Sequence, residues 1–238
     1  SIYVQILFDA FFPDFGVARI PVDTLGEAQT VVDKIINYES DPPFVDFGDG
    51  GPFYTTAALA SQFQCCRMNQ NGTPLDGQAG KDQRAFVETS EVVRNALMAA
   101  GKTGERIYTE TVDNGGYCLN NPCPPGLMQQ PYAGNTTPRR YYNGALLPAD
   151  LGAGSGFAWN GSTADIRDAW NEGRFLILHR DHGGSGGFSN PSFQTGNIAS
   201  LTNGALLPVL YSVNCASGYW DRETNGGGLA ESFMEQVL

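Results

Sequence analysis

The sequence predicts an α/β fold, a three-layer α/β/α sandwich on a mostly parallel sheet. Three observations carry that prediction. Two short apolar runs, Phe175–Leu178 and Leu207–Val213, are largely continuous and bounded by turn residues, the pattern of strands buried on both faces. Segments with apolar residues at helical spacing alternate with such runs along the chain. Finally, 30 of 238 residues are glycine and only 16% are charged, which suits a loop-rich α/β enzyme better than a helical bundle or a disordered tail. The length suffices for one domain, 1–238, with a substantial core.

The elements follow in chain order. Ile2–Leu7 is apolar and reads as a strand; Asp14–Gly16 is a turn, and Gly16–Val22 a second strand. Thr24 with Glu27 three residues on has the form of a capping box. The helix it opens carries Ala28, Val31, Val32, Ile35 and Ile36 at helical spacing, the mark of a helix packed on a sheet. Ser40–Pro52 is a loop rich in Asp, Pro and Gly. Its Asp41, Asp46 and Asp49 offer oxygen to calcium, but without EF-hand spacing a solvated loop is the favoured account. Phe53–Leu59 reads as a strand that places Ala60–Gln64 at the sheet edge, and Met68–Lys81 as a polar loop. Asp82–Gly101 is a helix with Phe86, Val87, Val92, Val93, Leu97 and Met98 on its apolar face, stopped by Gly101. Ile107–Thr111 is a short strand. The stretch 112–152 is turn-rich and too long for an ordinary connection, so it reads as an insertion, either a substrate-binding lid or a stapled decoration. Thr163–Gly173 is a helix capped by Ser162 or Thr163 that feeds the Phe175–Leu178 strand, and Gly228–Leu238 is the last helix.

Charge and hydropathy exclude several classes. A formal net charge of −11, with no basic run, argues against a nucleic-acid partner. No apolar stretch reaches membrane-spanning length, so no membrane span is expected. The five cysteines are an odd number. Two bridges among Cys65, Cys66, Cys118 and Cys123 would leave Cys215 free, although the adjacent pair cannot both bridge easily, and a fully reduced protein is the alternative. The sequons at Asn71, Asn135 and Asn160 are tripeptides common by chance and carry little weight.

The chemistry gathers at the ends of the two apolar runs. The first leads to His182-Gly183-Gly184 and the second to Cys215-Ala216-Ser217-Gly218. In open α/β sheets, sites form just beyond the carboxyl ends of the strands. A thiolate attacks carbonyl carbon, and an unassisted thiol with a pKa near ~8.5 is mostly protonated at neutral pH. An imidazole within reach takes that proton and returns it to the leaving amine. The Gly183 and Cys215 amides are the candidate donors for the developing oxyanion.

These residues resemble the caspase-like cysteine peptidases, and more narrowly the gingipain family. The similarity rests on Asp181-His182-Gly183, Gly187-Phe188, Leu201-Thr202-Asn203 and Val213-Asn214-Cys215. Upstream, Phe15–Val22 and the helix through Glu27–Tyr38 are similar to the family's Gly-Arg-hydrophobic-Pro-Val strand and following helix, with Ala18 in place of the usual Gly. Gly228–Phe233 resembles the helix after the nucleophile strand. The resemblance implies a secreted or cell-surface cysteine endopeptidase that cleaves peptides or proteins through Cys215 and His182. It also implies that the strands beginning the family domain lie on an additional chain or segment, or were removed. It admits calcium, with no cofactor required for the chemistry. The family orients its histidine with an acid near the end of the strand before the site. Here that position offers Ser61, Gln62 and Gln64, so the candidate orienters are Gln62, Gln64 and the later Asp76, and a bare Cys–His dyad is the default.

Two rivals stand beside this reading. His179 and His182, with Cys215 and an Asp, could form a metal site, but no Cys-x-x-Cys pair or Glu-bearing His-x-x-x-His helix accompanies them, so no metal is expected and His179 is placed facing the interior. The other rival is a peptidase fold that has lost activity and serves as a binding module, which the missing acid favours and the intact His182-Gly183 and Cys215 oppose.

Overall fold

The computed structural model describes residues 20, 22–43, 53–65, 79–112, 138–152, 154–219 and 232–237. The strand read over Ile2–Leu7, all of that over Gly16–Val22 but residues 20 and 22, the Met68–Lys81 loop up to residue 78, Asp46, Asp49, Asp76 and the part of the Gly228–Leu238 helix up to residue 231 lie outside these. The chain divides into two units, residues 1–42 with Leu238, and residues 43–237.

The described part of the first unit is helix α1 (Leu25–Ser40). The Thr24 hydroxyl accepts from the Glu27 N–H at 3.2 Å while the Glu27 carboxylate accepts from the Thr24 N–H at 2.9 Å, the reciprocal bonds of the capping box. Asp41 closes the helix as its C-cap.

The second unit is built on a parallel sheet. A 3-10 turn (Phe53–Thr55) leads into β1 (Thr56–Cys65); α2 (Phe86–Ala99) and β2 (Thr103–Val112) follow, then α3 (Thr163–Asn171) and β3 (Leu176–Arg180). A small antiparallel meander comes next, β4 (Gly183–Gly184), β5 (Gly187–Ser189) and β6 (Ser192–Gln194), and then α4 (Thr195–Ile198), β7 (Val209–Val213) and α5 (Phe233–Val237). The main sheet runs β2-β1-β3-β7 with every pair parallel.

Two cores lie on the two sides of that sheet. On one side α3 brings Ile166, Ala169 and Trp170 against Ala58, Ala60 and Ile177, with Phe188 and Phe193 of the meander and Phe233 of α5. On the other, α2 brings Val87 toward Leu59, Phe63, Tyr108 and Leu178. This is the three-layer arrangement the sequence predicts. Burying each of those phenylalanines contributes about 2–3 kcal/mol. Among the described residues no helix is long and apolar enough to cross a membrane.

Several boundaries differ from the sequence expectation, each for a physical reason. Strand β1 does not stop at Leu59 but runs to Cys65, and all ten of its positions are buried. Ser61, Gln62 and Gln64 disguise it, because each of these side chains makes a hydrogen bond within the protein instead of reaching solvent. The Ser61 hydroxyl donates to the Arg180 carbonyl at 2.9 Å, and the Gln62 amide donates to the Thr111 hydroxyl. Helix α2 starts at Phe86 rather than Asp82, because the Asp82 carboxylate accepts from the Gln64 and Arg84 amides, both at 3.1 Å, and holds its own segment outside the helix. Strand β7 is not buried on both faces. It is the edge of the described sheet, with Val209, Tyr211 and Val213 each 42–55% exposed. In the stretch 112–152, the described end is part of the core: Leu147 and Leu151 are buried beside Leu59, Phe63 and Tyr108.

Candidate active site

Strands β3 and β7 end together, while β1 runs on past them to Cys65. Arg180, the last residue of β3, pairs with Ser61 on one side and with Val213, the last residue of β7, on the other. His182 and Cys215 therefore each stand two residues beyond the last paired positions of neighbouring parallel strands, whose backbones run about 4.8 Å apart. Cys215 is a free thiol and exposed; His182 is half-buried.

His182 is held from two directions. Its Nε2–H donates to Gln64 Oε1 at 3.1 Å, since an amide oxygen can only accept. The Phe86 ring meets its imidazole edge to face at 5.1 Å, and Arg180 lies over the other part of that phenylalanine, 4.8 Å from the ring centre. Of the three candidate orienters, Gln64 touches His182, Gln62 is turned to Thr111, and Asp76 is outside the described residues. Gln64 is itself clamped. Its N–H donates to the Asp82 carboxylate and its carbonyl accepts from Gln83 N–H at 2.9 Å. Asp82 is fully buried, and burial pushes its carboxyl well above the usual carboxylate range. Sequence reading misses this residue, because an Asp ahead of an apolar periodic run reads as a helix start.

On the Cys215 side the chain makes a tight turn. Ala216, directly after Cys215, has φ +55°, the left-handed region that a residue with a Cβ rarely occupies. The hydroxyls of Ser212 and Ser217, on either side of the turn, are 2.7 Å apart. Ser217 is buried and its carbonyl accepts from Met234 N–H at 3.0 Å, which ties the turn to α5.

On the histidine side, Ser189 N–H donates to the His182 carbonyl at 3.0 Å. The pair Gly183–Phe188 is then of the non-hydrogen-bonded kind, and meander pairing does not use the Gly183 amide. Position 183 needs glycine: a Cβ there would sit 2.6 Å from Asn214 Cγ. Asn214, the residue before Cys215, so fills the space that a side chain at 183 would take.

Three residues upstream of His182, His179 is fully buried, as the sequence places it. Its ring stacks on Phe188 with centroids 3.9 Å apart, and Asn214 Nδ2–H donates to its Nδ1 at 2.8 Å. Burial, and then the Arg180 charge, push its pKa down to about 3, so it is neutral. Its Nε2 lies 3.8 Å from Asp181 Oδ2. Burial pushes Asp181 up to about 7, against hydrogen bonds from the His182 and Asn190 amides and the Arg180 charge. Asn190 N–H donates to Asp181 at 2.5 Å. Among the described residues no group of three or more His, Cys, Asp or Glu side chains could hold a metal ion.

An imidazole and a free thiol stand at matching positions past two neighbouring strands, each in a braced turn. The model of peptidase family C25 matches residues 1–237, and the chain belongs to that family. Its fold is similar to two solved structures. One is the Arg-specific cysteine proteinase gingipain R (RgpB), at 16% identity and a TM-score of 0.53, covering 98% of this chain and 38% of that one. The other is the complex of Porphyromonas gingivalis RgpB pro- and mature domains, at 16% identity and a TM-score of 0.50, covering 94% of this chain and 36% of that one. The chain thus spans rather more than a third of the length of these relatives. The architecture is the caspase-like α/β sandwich of the gingipains. No curated protein matches the chain.

Proposed function

We propose that the chain is a cysteine endopeptidase in which Cys215 and His182 form the catalytic dyad. The observation that carries this reading is the register: both residues stand two positions past the last rung joining β3 to β7, with Gln64 on the far nitrogen of the imidazole. With Nε2–H bonded to Gln64 Oε1, the basic nitrogen is Nδ1. Nδ1 takes the Cys215 proton, and the thiolate attacks the substrate carbonyl carbon. The Gly183 and Cys215 amides receive the oxyanion. The imidazolium then protonates the leaving amine, the C–N bond breaks, and a thioester remains. Water, deprotonated at Nδ1, attacks the thioester, releases the acid product and regenerates the thiol. These steps require no cofactor.

Family membership supports a peptide or protein substrate. A secreted or cell-surface location fits the cysteine chemistry, because Cys65 is disulfide-bonded while Cys215 is free. Work alongside a further chain or segment fits the coverage of the relatives, one of which is a complex of pro- and mature domains.

The second reading, an inactive binding module, draws on Gln64, a neutral group on the imidazole where a carboxylate would strengthen the base. The test is alkylation of Cys215 by iodoacetamide from pH 5 to 9, paired with hydrolysis of a denatured protein substrate. A thiol that reacts well below pH 8 in the wild type and slows in His182→Ala, with hydrolysis lost in both Cys215→Ala and His182→Ala, is the expected result. A wild-type thiol that titrates like an ordinary cysteine, without hydrolysis, makes the binding module the better account.

A further inference from the structure

We propose that His179 and Asn214 form a positioning couple that holds the Cys215 turn against the His182–Gly183 strand end. The inference rests on the peptidase reading and names residues that do not touch substrate in it.

The argument starts from the cost of a buried imidazole. Burying a polar ring at 0% exposure is costly, and a hydrogen bond to one of its nitrogens offsets part of that cost; Nε2 has no partner within hydrogen-bond distance among the described residues. His179 Nδ1 is used by Asn214, the residue that immediately precedes the nucleophile. Asn214 Nδ2 has two protons. One goes to His179, and the other to the Ser212 hydroxyl at 2.9 Å. Ser212 accepts that proton, and its hydroxyl shares a further hydrogen bond with the Ser217 hydroxyl at 2.7 Å, in which either oxygen can donate. One continuous chain of bonds therefore runs from His179 through Asn214 and Ser212 to Ser217, and brackets Cys215 on both sides.

The other contacts of His179 and Asn214 reach the histidine side. The face of the His179 ring lies on Phe188, whose strand pairs with Gly183. Its Nε2 faces Asp181, the residue before His182. The Asn214 amide occupies the space left by the missing Cβ of Gly183. Moving the His179 ring would displace groups adjacent to both members of the dyad. Because the ring stays neutral at neutral and mildly acidic pH, its Nδ1 lone pair is available to Asn214 throughout that range. The bonds assign the proton of His179 to Nε2.

Three variants and one spectrum test the couple. His179→Phe keeps the stacking on Phe188 and removes the acceptor; His179→Asn keeps an acceptor oxygen near the place of Nδ1; Asn214→Ala removes the donor. A displacement of about 1 Å at a catalytic group costs on the order of 10²-fold. The expected result is a kcat lowered roughly 10- to 100-fold in His179→Phe and Asn214→Ala, with KM changed less than about threefold, and most of kcat regained in His179→Asn. The rate of Cys215 alkylation should fall in the same order. The protein has two histidines, so nitrogen-15 spectra of the wild type hold two imidazoles, and His182→Ala assigns them. The His179 signal should be that of a neutral Nε2–H tautomer with a hydrogen-bonded Nδ1. A signal protonated at Nδ1, or one that titrates like a free imidazole, overturns the couple whether or not the variants fold. So does a fast wild-type thiol that stays equally fast in His179→Phe and Asn214→Ala. A wild-type thiol with no activation sinks the peptidase reading instead, and any catalytic role for the couple goes with it.

Discussion

Strand β3 and the turn beyond it each carry a histidine, three residues apart, and the two are put to opposite uses. Within the strand His179 is sealed between Phe188 and Asn214 and kept neutral by burial. Beyond the strand His182 is half-buried, with one nitrogen fixed by Gln64. The residue type is the same, so the difference lies in what each nitrogen meets and in how much water reaches the ring. An imidazole with a bonded Nδ1 in a dry core is a structural acceptor. One with a bonded Nε2 at a sheet edge is held in a single orientation beside the solvent, where the proposed reaction places a base.

The comparison can be broken at several points. The largest effect is expected from Cys215→Ala, which should abolish hydrolysis and leave the melting temperature within a degree or two, because the side chain is exposed; a variant that still cleaves would remove Cys215 from the role. His182→Ala should lower kcat by about 10²–10⁴, while activity that persists there and vanishes in His179→Asn would exchange the roles of the two histidines. Gly183→Ala should lower kcat about 10²-fold by pushing its methyl into Asn214. If the collision is the cause, Gly183→Ala added to Asn214→Gly should cost little beyond what Asn214→Gly costs alone.

Smaller effects sharpen the comparison. Gln64→Glu places a charged acceptor on His182 Nε2 and should move the acidic limb of the kcat/KM profile to higher pH, whereas Gln64→Ala should cost about tenfold. An unmoved limb in Gln64→Glu would show that the 3.1 Å contact does not govern the base. Stability against pH separates the dry pair. His179 has a depressed folded pKa of about 3 against 6.5, so it contributes stability that is present above 6.5 and lost as pH falls toward 3. Asp181 has a raised folded pKa of about 7 against 3.8, so it contributes stability that is present below 3.8 and lost as pH rises through 7. Urea midpoints between pH 4 and 7 should show Asp181→Asn gaining on the wild type as pH rises, and His179→Phe gaining on it as pH falls. Parallel curves for all three proteins would contradict the burial argument for both groups.

How much of this was legible in the sequence depends on whether the signal is local. The residues of the proposed dyad follow apolar runs and sit in recognisable short patterns, so reading along the chain reaches His182, Gly183 and Cys215. The capping box of Thr24 and Glu27 is local in the same way. Strand β1 was only half legible, because Ser61, Gln62 and Gln64 look like the end of a strand until β3, β2 and the turn beyond β3 supply their partners. Asp82 and the His179–Asn214 bond were not legible at all. The first reads as a helix start, and the second joins residues 35 positions apart in sequence. The exposed face of β7 was hidden for the converse reason: an apolar run shows that a strand is present but not which of its neighbours is missing.

The fit of Asn214 over Gly183 has an evolutionary consequence. Two positions that share one small volume form a single target for selection. A lineage that acquires a side chain at 183 must shrink the residue at 214 to keep its dyad, and one that enlarges 214 loses the room it was using above the glycine. Substitutions at these sites should therefore be inherited together, and the residue beside the nucleophile should vary among relatives in step with the residue after the histidine.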